Sequence, residues 1–289
     1  MVIRRIRENP RPISDWSTAV NWGTMRRMAE TASPTEETET WLEGIVSVMA
    51  ALAANSRPIY TVYIQQDARQ RHDRKLARLV DTAVAAHIPV QSADEAFIGE
   101  HASGSSHGGV LARVGPRCFL TCADLLAGMA AGTAVPFIAM LDGIEDPFNF
   151  GQAVRALYAA GADGLVLRPR NWLSAAGTVA RASAGASEWL PTAVAETAAE
   201  AATFFRQQGL VIACASHEEA ISIFEADLTR PLFLLIGGEK RGITRSFLRQ
   251  ADVRLQIPYG RTNFNQSLGT AAATAVISFE IRRQRKHDT

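Results

Sequence analysis

Cysteine is scarce: Cys118, Cys122 and Cys214 are the only three in 289 residues. That is too few for a disulfide framework. Cys118 and Cys122 stand four apart, but no second Cys/His pair at zinc spacing accompanies them, so no metal site is expected. Thiols left reduced point to a cytoplasmic protein. No apolar run approaches the ~20 residues that a membrane-spanning helix needs, so no membrane partner is expected. The N-terminus is basic but has no apolar stretch of the secretory kind. Both common phosphate-binding fingerprints are missing. Neither Gly-x-x-x-x-Gly-Lys-Ser/Thr nor Gly-x-Gly-x-x-Gly occurs, which argues against a P-loop or dinucleotide-binding enzyme.

What is present is an ordinary globular composition, 47% hydrophobic and 20% charged, with a formal net charge of +1. The charge is unevenly spread. The first 30 residues hold six Arg against three acids, and residues 57–78 hold six Lys or Arg against Asp67 and Asp73. The tail Arg282-Arg-Gln-Arg-Lys286 adds four more. Local basic patches on a near-neutral chain suit contact with phosphates, although a solvated face has the same composition.

Residues 1–40 read as an extension interrupted by Pro10, Pro12 and Pro34, with a short helix expected over Asp15–Glu30. From Trp41 the spacing predicts a helix to Ala54, a strand Ile59–Ile64, a helix Gln70–Ala86 and a short strand at Ile88–Val90. A short helix Ala93–Ile98, a strand Val110–Val114 and a helix Ala123–Ala130 follow. This describes a small α/β domain over 41–130, preceded by the 1–40 extension. The alternation restarts near Val135 and runs to residue 289, giving a second α/β domain over 135–289. Its strands include the continuous apolar run Leu232-Phe-Leu-Leu-Ile236, as expected for a parallel sheet covered on both faces.

Three stretches carry candidate chemistry. In the first, an apolar run to Leu141 stops at a polar turn, Pro147 suits the first turn of a helix, and Asn149, Gly151 and Arg155 follow. Arg155 is four residues after Gly151, so both lie on one helical face. A strand feeding a helix in this way is where α/β proteins place ligands. The second stretch is Gly237-Gly-Glu-Lys-Arg-Gly242, directly after a buried strand, where glycine lets backbone approach a ligand closely. The third is Ile257-Pro-Tyr-Gly, then Asn263 to Ala273. There Ser267 is a suitable N-cap for a helix Leu268–Arg285. Each stretch alone is also an ordinary turn.

Together and in this order the three resemble the motifs of the SpoU/TrmH family of RNA ribose methyltransferases, in the SPOUT class. Leu141 to Arg155 is similar to that family's Leu-Asp-x-Ile-x-Asp-Pro-x-Asn-x-Gly-x-x-x-Arg. Gly237 to Gly242 resembles its Gly-x-Glu-x-x-Gly, and Ile257-Pro with Ser267-Leu268 resembles its third motif. Arg181 to Pro191, Glu43-Gly-Ile-Val-Ser-Val and His107-Gly-Gly-Val110 are similar to further family segments. The resemblance covers about residues 41–285. It implies an L30e-like domain that binds RNA, then a SPOUT domain whose parallel sheet is tied in a deep trefoil knot. It also implies a homodimer that uses S-adenosylmethionine to methylate a ribose 2′-hydroxyl, with ribosomal RNA favoured over transfer RNA. Carried over by position, Arg155 is the catalytic arginine, with Asn149, Glu239 and Ser267 around it. The cofactor is held near Gly237, Ile257 and Leu268. Arg57, Arg71, Arg74 and His107 are expected to contact RNA. The chain departs from the pattern at Gly269, where the family has Asn; Asn263 and Asn265 stand just upstream. That departure leaves open a protein that binds RNA or the ribosome on a degenerate SPOUT scaffold.

Overall fold

The computed structural model describes residues 40–67, 73–129, 135–169, 175–238, 242–261, 263 and 266–285. The helix expected over Asp15–Glu30 lies outside them. Among these residues the first sheet has four strands: β1 (Thr40–Glu43), β2 (Ile59–Gln65), β3 (Val90–Ala93) and β4 (Val110–Val114), in the order β1-β4-β2-β3. Helices α1 (Ile45–Ala54) and α2 (Arg74–Ala85) cover one face, closing a core of Leu42, Val48, Val62, Ile64, Leu79 and Ala112. Side chains alternate across a strand, so Trp41, Tyr63 and Leu111 point to the other face. There they meet α3 (Glu95–His101) through Phe97 and Ile98.

One expectation is corrected at the start of this domain. Thr40–Glu43 is a strand, not the first turn of a helix, and it pairs antiparallel with β4. Gly44 sits at φ 83°, a left-handed conformation that separates strand from helix. The apolar spacing of α1 happens to continue backward through Leu42, which is why periodicity alone overran the boundary.

The second sheet has seven strands: β5 (Phe137–Asp142), β6 (Gly164–Leu167), β7 (Thr192–Val194), β8 (Val211–Ala215), β9 (Ile221–Ser222), β10 (Leu232–Gly237) and β11 (Val253–Gln256). The order is β7-β6-β5-β10-β8-β11-β9, and every neighbouring pair is parallel. Helices α5 (Pro147–Ala160) and α10 (Thr270–Arg285) cover one face, where Leu141, Leu157, Leu234, Ile236 and Ile277 are buried together. Helices α4 (Cys122–Gly128), α8 (Ala198–Gln207) and α9 (Arg245–Leu248) cover the other, around Met140, Val166, Phe205, Phe233 and Phe247. Burial on both faces explains why these strands are apolar runs without alternation.

Two short helices, α6 (Ala176–Ala182) and α7 (Ala186–Trp189), pack on α5 and also on the first domain. Neither α7 nor β7 was legible by period, since each is under five residues long. A second correction concerns α4. It belongs with the second sheet, not the first domain. The Leu120 N–H donates to the Thr192 carbonyl at 2.9 Å, and a Cβ on Gly164 would come within 2.9 Å of Leu125 and Met129 side-chain atoms.

Strands β5, β6 and β7 step outward in one direction, whereas β10 returns to lie between β5 and β8. The chain order reverses between β5 and β10. Ligands of open α/β sheets bind outside the carboxyl ends of the strands at such a reversal.

Helix α5 sits against α6 through Gly151, where an added Cβ would lie 2.7 Å from the Ala182 Cβ and 2.9 Å from the Val179 carbonyl oxygen. Gly151→Ala therefore overpacks this contact. Urea unfolding is expected to show a loss of about 1–3 kcal/mol; a variant as stable as the parent would show that the two helices can separate.

Candidate active site

The turn after β5 is built by its own sequence. Asp146 caps α5, accepting from the N–H of Phe148 at 3.1 Å and of Asn149 at 3.2 Å. Pro147 occupies the first helical position, where its missing N–H costs nothing. Asn149 is half-buried, and Arg155, one turn beyond Gly151, is exposed. Among the described residues Arg155 makes no ion pair.

At the carboxyl end of the sheet, Gly237 of β10 is in register with Asp142 of β5. Gly238 donates its N–H to the Asp142 carbonyl at 2.6 Å. A Cβ on Gly238 would lie 2.0 Å from the Gly143 oxygen, and Gly143 itself is at φ 80°. Only glycine allows these two backbones to touch. Gly237 is pressed in the same way against Gly242, whose backbone carbon would lie 2.7 Å from an added Cβ.

Beside this contact lies a cleft of about 550 Å³. Gly237, Ile257, Ser267 and Leu268 all line it, so the structure brings those predicted residues together from the end of β10 and from the loop between β11 and α10. The β11–α10 loop is closed on itself by the Tyr259 hydroxyl, which accepts from the Leu268 N–H at 3.0 Å. Gly269 also lines the cleft. Sequence reasoning missed Ser216 and His217, which reach the same space from the end of β8. Their only signal was position, immediately after a buried strand.

Other expected residues stand elsewhere. Asn149 and Arg155 lie on α5 outside the cleft lining. Glu239 and Arg71 fall outside the described residues, as does Asn265. Ser267 is not the helix cap: α10 begins at Thr270, and Ser267 is exposed three residues earlier. Only Leu268 and Gly269 lie between them, too few to make a helical turn. Arg74 is exposed on α2, and His107 is half-buried, its Nδ1 accepting from the Gly109 N–H at 3.0 Å.

Arg57 is corrected outright as an RNA contact. Its side chain is 5% exposed and faces Glu188 of α7, with Nη2 to Oε1 at 2.8 Å and Nε to Oε2 at 2.9 Å. Ser56 also donates to this carboxylate, at 2.5 Å. Burial alone would raise the Glu188 pKa, but Arg57 and Arg117 beside it hold it below the usual value. Burial in turn lowers Arg117 to about 10. A guanidinium spent on a buried partner offers nothing to a phosphate.

With this geometry in place, the comparison with known proteins is specific. Residues 136–279 match the SpoU rRNA Methylase family, and residues 41–118 match the RNA 2′-O ribose methyltransferase substrate binding family. The chain belongs to the SpoU family. Among its relatives is the 23S rRNA (guanosine-2′-O-)-methyltransferase RlmB of Shewanella oneidensis, 29% identical over 84% of this chain and 96% of that protein. The Escherichia coli protein of the same name is 26% identical over 84% of this chain and 97% of its own length. Two solved structures share the fold. The SpoU methyltransferase AviRb of Streptomyces viridochromogenes superposes with a TM-score of 0.68, at 20% identity over 94% of this chain and 96% of that one. An AdoMet-bound rRNA methyltransferase from Sinorhizobium meliloti gives 0.67, at 21% identity over 93% of each chain. The SpoU match begins at the strand that leads into the Asp146 turn and ends within α10, so it spans the whole cleft.

Arg57→Ala would strand Glu188 as a buried unpaired charge. It is expected to cost about 3–5 kcal/mol in chemical unfolding, while Arg74→Ala leaves stability unchanged and weakens binding to RNA. A mild Arg57→Ala with strong loss of RNA affinity would restore Arg57 as an RNA ligand.

Proposed function

We propose that this chain is an S-adenosylmethionine-dependent RNA methyltransferase acting on a ribose 2′-hydroxyl, with ribosomal RNA as its substrate. One observation carries the reading. The loops that family membership associates with the cofactor converge, through Gly237, Ile257, Ser267 and Leu268, on one cleft at the carboxyl ends of β8, β10 and β11.

The cleft suits the cofactor. Its volume is within the ~300–1,000 Å³ of small-molecule sites. Ile236, Leu255, Ile257 and Ile277 give it apolar walls for a purine face, and the Gly237–Gly238 and Ser267–Gly269 backbones supply polar groups without bulk. When bound, S-adenosylmethionine supplies an electrophilic methyl group on a sulfonium. The protein must orient a ribose hydroxyl toward that group and stabilise the alkoxide character that develops on its oxygen. Arg155 takes that role in the proposal. A guanidinium is a donor of hydrogen bonds and not a base, so it stabilises charge and does not remove the proton. Water or a substrate phosphate accepts it. Asn149 and Ser267 assist it in the proposal, as does Glu239 by its place in the family motif, and fixed alignment of the reacting groups supplies much of the acceleration.

The substrate domain contributes Arg74 and the His107 loop to RNA. Phosphate contacts of this kind position a strand without selecting its sequence. The proposal includes a trefoil knot in the second domain, a cytoplasmic location and a homodimer. For the homodimer, α5 and α10 leave Phe148, Tyr158, Val276 and Phe279 exposed. A second reading, an RNA-binding protein with no methyl transfer, has one observation in its favour: Gly269 brings no side chain to the cleft.

Methyl transfer from tritiated S-adenosylmethionine to RNA separates the two. The wild type is expected to label RNA, and Arg155→Ala to lose about 100-fold or more of that rate with cofactor affinity retained. Cofactor binding without labelling of any ribosomal RNA would favour the second reading.

A further inference from the structure

The two domains are joined by charges of opposite sense. Arg57 of the first domain meets Glu188 of the second, and Glu43 of the first meets Arg181 of the second. The Glu43 pair does more than tie two surfaces. Its carboxylate is fully buried, and each oxygen has a different partner: Oε2 accepts from Arg181 Nη1 at 2.5 Å, and Oε1 accepts from the Ser103 backbone N–H at 2.7 Å. Ser103 belongs to the loop that runs on to His107. The next residue, Gly104, lies flat on the Arg181 guanidinium, where any Cβ would be 2.7 Å from Nη1. Arg181 is on α6, which meets α5 at Gly151, one turn from Arg155.

A buried carboxylate with a single cation is a poor source of stability, because desolvation offsets most of the attraction. A fixed geometry is what such a pair retains. We propose that Glu43 and Arg181 are positioning residues for the RNA substrate: together they hold the Ser103–Gly109 loop of the substrate domain against the catalytic domain, so that a strand bound by that loop is presented to Arg155. The inference rests on the reading of the chain as an RNA methyltransferase. Neither residue touches the reacting atoms.

The test uses the full-length chain and fragments of ribosomal RNA that the wild type binds. Arg181→Gln is expected to raise the KM for RNA about tenfold and to weaken RNA binding measured directly by filter retention. Its Kd for S-adenosylmethionine should stay within twofold of the wild type. Arg181→Lys keeps a cation for Glu43 and is expected to recover most of the lost affinity. Glu43→Gln, which keeps an acceptor for Ser103 but not the charge, should match Arg181→Gln, and the double variant should be no worse than either. An unchanged KM with a reduced kcat, an equal loss of cofactor affinity, or additive effects in the double variant would overturn the proposal. Wild-type protein that binds this RNA but transfers no methyl group would overturn the functional reading instead, and filter retention would still decide whether the pair positions RNA.

Discussion

The active region depends on one contact that has no side chains in it. Gly238 and Gly143 meet backbone to backbone at the carboxyl ends of β10 and β5. The close approach lets the turn that launches α5 and the loop that follows β10 share a wall. Any residue other than glycine at 238 would push these loops apart at the point where the cleft begins. The cleft is therefore a consequence of strand order: β10 must return to the centre of the sheet beside β5 before its loop can reach the turn that launches α5. The Tyr259 hydroxyl then draws the last loop in by holding Leu268.

Around this centre the molecule uses charge for geometry. The reciprocal pairs Arg57–Glu188 and Glu43–Arg181 are buried or largely so, and each crosses the boundary between domains. Glycines do the same work sterically. Gly177 lies against the Trp41 carbonyl, and Gly185, at φ 81°, against Ala50. The segment from α6 to α7 is thus a joint with two faces, one on the substrate domain and one on the helix that bears Arg155. A short run of small residues in the sequence becomes the element that fixes the first domain against the helix that bears Arg155.

Much of this was legible from residues alone. The strand–turn–helix at Asp142–Arg155 was visible because Pro147 and a buried apolar run are strong local signals. The grouping of Gly237, Ile257 and Leu268 came from motif resemblance, and the structure places them in one cleft. What failed did so for physical reasons. Trp41–Glu43 shares its apolar spacing with α1, so only Gly44 marks the change from strand to helix. Arg57 stood in a basic run and looked like a surface charge. Its partner Glu188 lies 131 residues away, and no local pattern reports a contact at that distance. His217 reaches the cleft through sheet order, which single-sequence periodicity does not contain. Ser267 had the chemistry of a cap, but the helix starts later.

The central claim is that the convergence of the loops after β8, β10 and β11 makes a site for ribose methylation. A map of 2′-O-methyl groups in ribosomal RNA from cells with and without the gene tests it most directly. The account predicts at least one ribose that is methylated in the parent, unmethylated in the deletion strain, and restored by the wild-type gene but not by Arg155→Ala. Identical maps in the parent and the deletion strain would contradict it.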